Sequence, residues 1–211
     1  MNRKNQQIAK YWDKRAVEYD RNSLIAGMAY PQILDAVKAQ LMTDDHVLDI
    51  GSGTGGFTIQ YIDLVKQVTC CDIAPKMLAI SRQRLADYHN VDFSLQDCTN
   101  LKFNSNNFDV VLCINVLHQM NKPEKAIREF QRVLRSDGRL IAISVAQKEI
   151  NLLKKIGIAF RYSTQFGIPP ATHSFNLQSL SEMITECGFK VSDAAIITRD
   201  PFPVACVTGV K

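Results

Sequence analysis

Residues 47–57 read Val47-Leu48-Asp49-Ile50-Gly51-Ser52-Gly53-Thr54-Gly55-Gly56-Phe57. The stretch goes apolar, acidic, apolar and then glycine-rich, the pattern of a buried strand whose end opens into a tight turn and then a helix. Glycine has no Cβ, so it takes positive φ and lets a ligand touch the main chain. The amides that begin the following helix are unpaired and face anions. Asp49 is the odd member, because a carboxylate in an apolar strand needs a hydrogen-bond partner once buried. It either orders the glycine turn by accepting its amides or holds a cationic ligand group. Gly51, Gly53 and Gly56 also satisfy G-x-G-x-x-G, with Asp72 about 20 residues on, where a dinucleotide fingerprint expects its ribose-binding acid. Glycine spacing alone therefore leaves the cofactor open.

The chain has 211 residues, 46% of them apolar and 22% charged. This suits one soluble globular domain with a substantial core and a small appendage. A net charge of +4 comes from Lys and Arg scattered among acids, which gives no strong nucleic-acid signal. Cys70, Cys71, Cys98, Cys113, Cys187 and Cys206 fall mostly in apolar segments with no C-x-x-C spacing. Buried reduced thiols fit that distribution better than zinc ligation or a disulfide framework. Residues 1–12 contain no apolar core of a signal peptide, and no stretch approaches the length of a membrane span. The expectation is a cytoplasmic protein without a membrane span.

Around the opening stretch the chain alternates strands and helices. Amphipathic helices are expected over residues 4–20 and 30–41, and a helix with apolar spacing over 57–65. Strands are expected at 67–72, 91–96, 108–114 and 139–146, with helices from Pro75 and Pro123 between them and a break at Ser136-Asp137-Gly138. This is a βαβ rhythm, so the strands should be parallel with right-handed crossovers. A helix at 176–187 and strand-like runs at 189–198 and 202–210 finish the chain, the last two joined closely enough to require antiparallel pairing. Residues 1–42 read as an N-terminal helical cap and 43–211 as the ligand-binding domain. Residues 147–175 form a long irregular insertion, the kind that serves as a substrate lid. Asp49, Asp72, Asp97 and Asn115 end four successive strands, and in an open α/β sheet ligands bind outside those carboxyl ends.

With these pieces in place the chain resembles the class I S-adenosylmethionine-dependent methyltransferases, in particular the small-molecule branch typified by ubiquinone and menaquinone biosynthesis methyltransferases. The matching segments are Val47 to Gly55, Cys71-Asp72-Ile73-Ala74-Pro75-Lys76-Met77-Leu78, Phe108-Asp109-Val110-Val111 with Val116-Leu117-His118, Val133-Leu134-Arg135-Ser136-Asp137-Gly138-Arg139-Leu140 and Cys187-Gly188-Phe189. The resemblance implies a Rossmann-like, mostly parallel seven-stranded α/β sheet in the order 3-2-1-4-5-7-6, strand seven antiparallel, with helices on both faces. It implies S-adenosyl-L-methionine as cofactor, S-adenosyl-L-homocysteine as product and a small-molecule methyl acceptor as partner. The cofactor-binding residues would be Asp49, Gly51, Ser52, Gly53, Thr54, Gly55, Asp72, Ile73, Met77, Asp97, Cys98 and Asn115. Within this set the glycine turn faces the methionine part, Asp72 the ribose hydroxyls and Asp97 the adenine amino group, while Ile73, Met77 and Cys98 line the adenine slot. No Tyr-x-x-x-Lys motif is present for hydride transfer.

In-line transfer from a sulfonium needs mainly alignment. Where a hydroxyl or carbon acceptor requires a base, His118 is the candidate, because histidine titrates near neutrality and this one follows strand four. Many members of the family carry a second histidine where this chain has Gln119. Tyr11, Tyr19 and His173 are candidates for acceptor contact. Leu152, Leu153, Ile156, Ile158, Phe160, Tyr162 and Phe166 offer an apolar helix face over the acceptor pocket, a spacing equally that of ordinary core. No Asp/His cluster has metal-ligand spacing. Two further classes stay open: a cofactor-binding protein without transfer activity, and an RNA or protein methyltransferase. The second lacks an Asn-Pro-Pro-Tyr-like sequence, reading Asn115-Val116-Leu117-His118 instead.

Overall fold

A computed structural model describes residues 1–26, 30–150, 156–157, 160, 163–167, 173–199 and 202–211. Its elements are α1 (Arg3–Asp13), α2 (Tyr19–Ala26), α3 (Tyr30–Lys38), β1 (His46–Ile50), β2 (Gln67–Asp72), α4 (Pro75–Arg84), β3 (Val91–Leu95), β4 (Phe108–Ile114), α5 (Pro123–Val133), β5 (Leu134–Val145), α6 (Leu177–Glu186), β6 (Lys190–Thr198) and β7 (Val204–Val210). Seven strands form one sheet in the order β3-β2-β1-β4-β5-β7-β6. The first five pair in parallel, and β7 runs antiparallel to both β5 and β6. This is the order the family resemblance implies.

Period-two alternation sends neighbouring strand residues to opposite faces. Leu48, Ile50, Val111 and Cys113 pack under α5 and α6, against Ile127, Phe130 and Ile184. Val47, Val110, Leu112 and Ile141 pack on the other face under α3 and α4, against Ile33, Val37 and Leu78. On α5, Ala126, Ile127, Phe130 and Val133 are all buried, the stripe that a 3.6-residue period produces. Helices thus cover both faces, as parallel sheets require.

Three boundaries differ from the sequence reading. The helix expected over residues 4–20 divides: α1 ends at Asp13, and a single turn at Ala16–Glu18 leads into α2. β5 starts directly at Leu134 and runs through Ser136-Asp137-Gly138, with Asp137 at φ 63° absorbing the bend. The helix expected over 57–65 is two short 3₁₀ turns, Thr58–Gln60 and Ile62–Leu64. The reason lies in Asp49, which is 4% exposed. The hydroxyls of Thr58 and Tyr61 both donate to its Oδ2, each at 2.7 Å. Residues three apart eclipse in a 3₁₀ turn but not in an α-helix, so converging both donors on one oxygen selects the tighter winding.

Tyr61→Phe removes one of these donors and leaves the ring in place, 1% exposed. The expected cost is about 1–3 kcal/mol of unfolding free energy, read as a lower urea midpoint. An unchanged midpoint would show that Asp49 does not depend on the tyrosine hydroxyl.

Candidate active site

The chain leaves β1 through Gly51 at φ 68°, followed by Gly53 at 57° and Gly55 at 74°. The Gly51 and Ser52 amides both donate to the carbonyl of Cys71 in β2, at 2.7 and 3.2 Å. A Cβ on Gly51 would stand 2.3 Å from Val116 Cγ2. Main chain is therefore exposed at the mouth of a cavity, which lies outside the carboxyl ends of the central strands and beneath α1.

Asp72 ends β2 on the wall of that cavity. Its Oδ2 accepts from the Gly53 amide at 3.0 Å and its Oδ1 from the Ala74 amide at 2.8 Å. Burial pushes its carboxyl up to about 6, against the amides of Ala74, Gly53 and Ile73, which favour the charged form. An ionised carboxylate offers about four acceptor sites. The Gly53 and Ala74 amides fill two of them, the Ile73 amide also bears on the group, and the remaining capacity is available to a ligand. Asp97 stands further along the same edge. Burial works to raise its pKa, but donors from Asn5 and Thr99 outweigh it and hold the group below the usual carboxylate value.

Between the two acids, Ile73, Met77 and Cys98 line the cavity, and Asn115, at φ 56°, closes it beyond β4. Cys98 Sγ lies 3.7 Å from Met120 Sδ, giving a polarizable wall. Asp72, Asp97, Asn115, Gly51 and Gly53 are therefore brought together from the ends of four successive strands. Asp49, Ser52, Thr54 and Gly55 stand behind the turn instead of on the cavity wall. Asp49 is held by Thr58 and Tyr61. The Thr54 hydroxyl donates to Asp20 Oδ1 at 2.6 Å, and Arg84 Nη1 donates to the Thr54 carbonyl at 2.9 Å. Gly55 is pressed against Ser81, whose Oγ would lie 2.6 Å from an added Cβ. These residues brace the turn.

The N-terminal segment covers the cavity with Asn5, Ile8, Trp12 and Tyr19. Asn5 and Ile8 were not singled out from the sequence, and neither were Gln96, Thr99, Val116, Met120 and Asn121 on the other walls. Their only local signal is position beside strand ends, which Asn5 and Ile8 lack altogether. Tyr11 is not on the cavity wall. Its hydroxyl donates to the Phe166 carbonyl at 2.7 Å while the Arg15 guanidinium lies 3.7 Å over its ring. Phe166 is buried among Trp12 and Tyr19. Ile156 and Phe160, expected on an apolar face over the pocket, are 59% and 71% exposed. The remaining members of that face, residues 152, 153, 158 and 162, lie outside the described residues.

His118 is buried beside the cavity without lining it. Its Nδ1 is 3.4 Å from Ser144 Oγ and its Nε2 3.1 Å from Gln119 Nε2. Burial, aided by His173, lowers its pKa to about 4. The His173 amide donates to the His118 carbonyl at 2.6 Å, and the His173 ring stacks on Phe175. The two histidines come together, but away from the cavity wall.

A family model described as a methyltransferase domain matches residues 48–142. The ubiquinone/menaquinone biosynthesis C-methyltransferase UbiE of Pseudomonas aeruginosa (strain LESB58) is 31% identical over 169 residues, covering 76% of this chain and 66% of the relative. The chain thus spans about two thirds of the length of such curated relatives. Among solved structures, an S-adenosylmethionine-dependent methyltransferase from Aquifex aeolicus aligns with a TM-score of 0.71 at 16% identity, over 94% of this chain and 97% of that one. The [4+2]-cyclase SpnF aligns with a TM-score of 0.70 at 20% identity, over 85% and 80%. At those identities the two structures speak for the fold. Strand order, glycine turn and the match across the central strands agree, and the chain belongs to the class I S-adenosylmethionine-dependent methyltransferase family.

Proposed function

We propose that this chain binds S-adenosyl-L-methionine along the carboxyl edge of its sheet and transfers the methyl group to a small-molecule acceptor. The observation that carries the reading is Asp72, fixed by two backbone amides with acceptor capacity left over, beside main chain that Gly51 alone keeps open. A carboxylate so held accepts the two vicinal hydroxyls of a ribose. The backbone at Gly51 and Gly53 then meets the methionine part, and Asp97 the adenine amino group in the slot of Ile73, Met77 and Cys98. Bound cofactor supplies an activated methyl on a sulfonium. The protein's own task is alignment and exclusion of water, and alignment alone can lower a barrier by roughly 7–11 kcal/mol.

On this reading residues 1–42 are the cap, 43–211 the cofactor domain and 147–175 the lid, tied to the cap through Phe166. Trp12, Tyr19, Val116 and Met120 give the cavity a largely apolar lining, which favours an uncharged acceptor of low polarity. The relatives' name as C-methyltransferases favours a carbon nucleophile. His118, with a pKa of about 4, is a weak proton acceptor at neutral pH, so it is assigned a positioning role for Gln119. Among the described residues no helix is long and apolar enough to cross a membrane, and we place the chain in the cytoplasm.

Calorimetry with S-adenosyl-L-methionine is expected to show saturable binding that Asp72→Ala weakens by roughly 100-fold, two charged hydrogen bonds being lost, with NADH failing to compete. Binding of NADH in its place would leave only the fold standing. Binding without turnover on any acceptor would favour the non-transferring alternative.

The same titration run across pH reads the Asp72 carboxyl. Affinity should be level above pH 7 and fall as pH drops through about 6, where the acceptor oxygens become protonated. A flat profile down to pH 5 would separate Asp72 from the ligand.

His118→Gln should retain turnover within a few-fold at neutral pH. Its stability profile carries a second readout. The folded group titrates at about 4 against 6.5 unfolded, so only the unfolded chain gains a proton between those values. Stability linked to this residue is complete above pH 6.5 and lost as pH falls toward 4. Asp72, raised in the folded state, acts in the opposite sense. The comparison is therefore variant against wild type, and the variant's melting temperature should fall less between pH 7 and pH 5.

A further inference from the structure

One polar side chain on the cavity wall comes from a part of the chain where neither spacing nor strand position announces it. Asn5 lies in the first turn of α1, where the Asn2 side chain caps its amide at 2.9 Å. It is 3% exposed and lines the cavity next to Asp97. Its Nδ2 donates to Asp97 Oδ2 at 2.7 Å and stands 3.5 Å from Thr99 Oγ1. A carboxylate only accepts, so the amide has a fixed sense: nitrogen toward Asp97, Oδ1 on the other side. Among the described residues nothing donates to that Oδ1.

The acceptor sites can be counted. Asp97 Oδ1 takes the Thr99 amide at 3.0 Å and the Thr99 hydroxyl at 2.7 Å. Its Oδ2 takes Asn5. Of about four sites on the carboxylate, one remains, on the oxygen nearest Asn5. Asn5 Oδ1 adds two more lone pairs. The wall there presents two neighbouring acceptors on two different side chains, one from the sheet and one from the N-terminal helix. A primary amine on a flat ring carries two N–H donors in one plane and can satisfy both. An exocyclic carbonyl oxygen at the same place has no donor and would meet acceptors on both sides, leaving buried groups unpaired.

We propose that Asn5 is a specificity-determining residue that reads the exocyclic amine of the cofactor's base jointly with Asp97, so that the site distinguishes an amino-purine from its oxo counterpart. The inference rests on the S-adenosylmethionine reading above. It adds that α1 takes part in base recognition. It also gives Asn5 a second role, holding the Asp97 carboxylate in the orientation that leaves one lone pair facing the base.

The test is calorimetric titration of wild type, Asn5→Ala and Asn5→Leu with S-adenosyl-L-homocysteine and with S-inosyl-L-homocysteine, in which the amine is replaced by oxygen. Circular dichroism at the assay temperature establishes that each variant is folded, and the leucine variant, close to asparagine in size, controls for lost volume. Wild type should prefer the adenosyl ligand by roughly 100-fold, as a site built around an N–H donor rejects the analogue lacking it. Both variants should bind the adenosyl ligand about tenfold more weakly, with the inosyl ligand unchanged, so that the preference narrows about tenfold. Equal weakening of both ligands, or no change in either, would reduce Asn5 to a structural residue and overturn the proposal. Failure of wild type to bind either ligand would overturn the cofactor reading itself, and this inference with it.

Discussion

β1 is the first strand in the chain with parallel neighbours on both sides, and its exit is closely confined. The chain must rise between the ends of β2 and β4, where Val116 leaves no room for a Cβ at position 51. With no side chain there, two successive amides cap the Cys71 carbonyl, and that pairing sets the height of the turn above the sheet. The Gly53 amide then falls within reach of Asp72. Much of the cavity's geometry follows from this one close approach, since a turn placed higher would lose both the β2 carbonyl and the acid beyond it.

A turn built from glycines gains no packing of its own, so it is stabilised from outside. Below it lies Asp49, whose burial is tolerated because two hydroxyls satisfy it. Above it, Thr54 is gripped by Asp20 and Arg84, which also form an ion pair with one another. Farther along the cap, Asp13 Oδ1 accepts from the Lys76 amide at 2.9 Å. This gives α4 the first-turn partner that its own N-cap, Ala74, lacks. The N-terminal helices thus bear on the glycine turn, the start of α4 and Asp97, the three segments that follow β1, β2 and β3.

What could be read in the sequence divides along a physical line. Asp72 and Asn115 stand out because parallel strands buried on both faces are nearly continuous apolar runs, against which a polar terminus is conspicuous, whereas Asp97 follows the alternating, partly exposed edge strand β3 and is marked only by its place after the third strand. Asp49 is equally conspicuous, but its role depends on which face it takes. Alternation puts it with Val47 on the side covered by Tyr61, beneath the turn. Asn5 has no such contrast, sitting in a polar opening segment 92 residues from its partner. The winding of residues 58–64 escaped the reading for a related reason. Apolar spacing over so short a stretch suits either helix type, and the choice was made by a carboxylate nine residues away. His118 illustrates the opposite limit, since its residue type suggests a proton acceptor while its burial lowers its pKa to about 4.

The position of β7 has a consequence for how the molecule is made. This strand enters between β5 and β6, pairing with β5 from Arg139 to Val145, and it is the last strand in sequence order. While the chain emerges from the ribosome, β1 to β5 can assemble with their crossover helices, yet one flank of β5 stays open. That flank carries Leu140, Ile141, Ala142 and Ile143, all fully buried in the finished sheet. An apolar strand with unpaired amides and carbonyls is a template for pairing with another copy. The nascent protein is therefore most exposed to aggregation in the interval between completion of β5 and the emergence of β7, which is when a chaperone that shields strand edges would matter most.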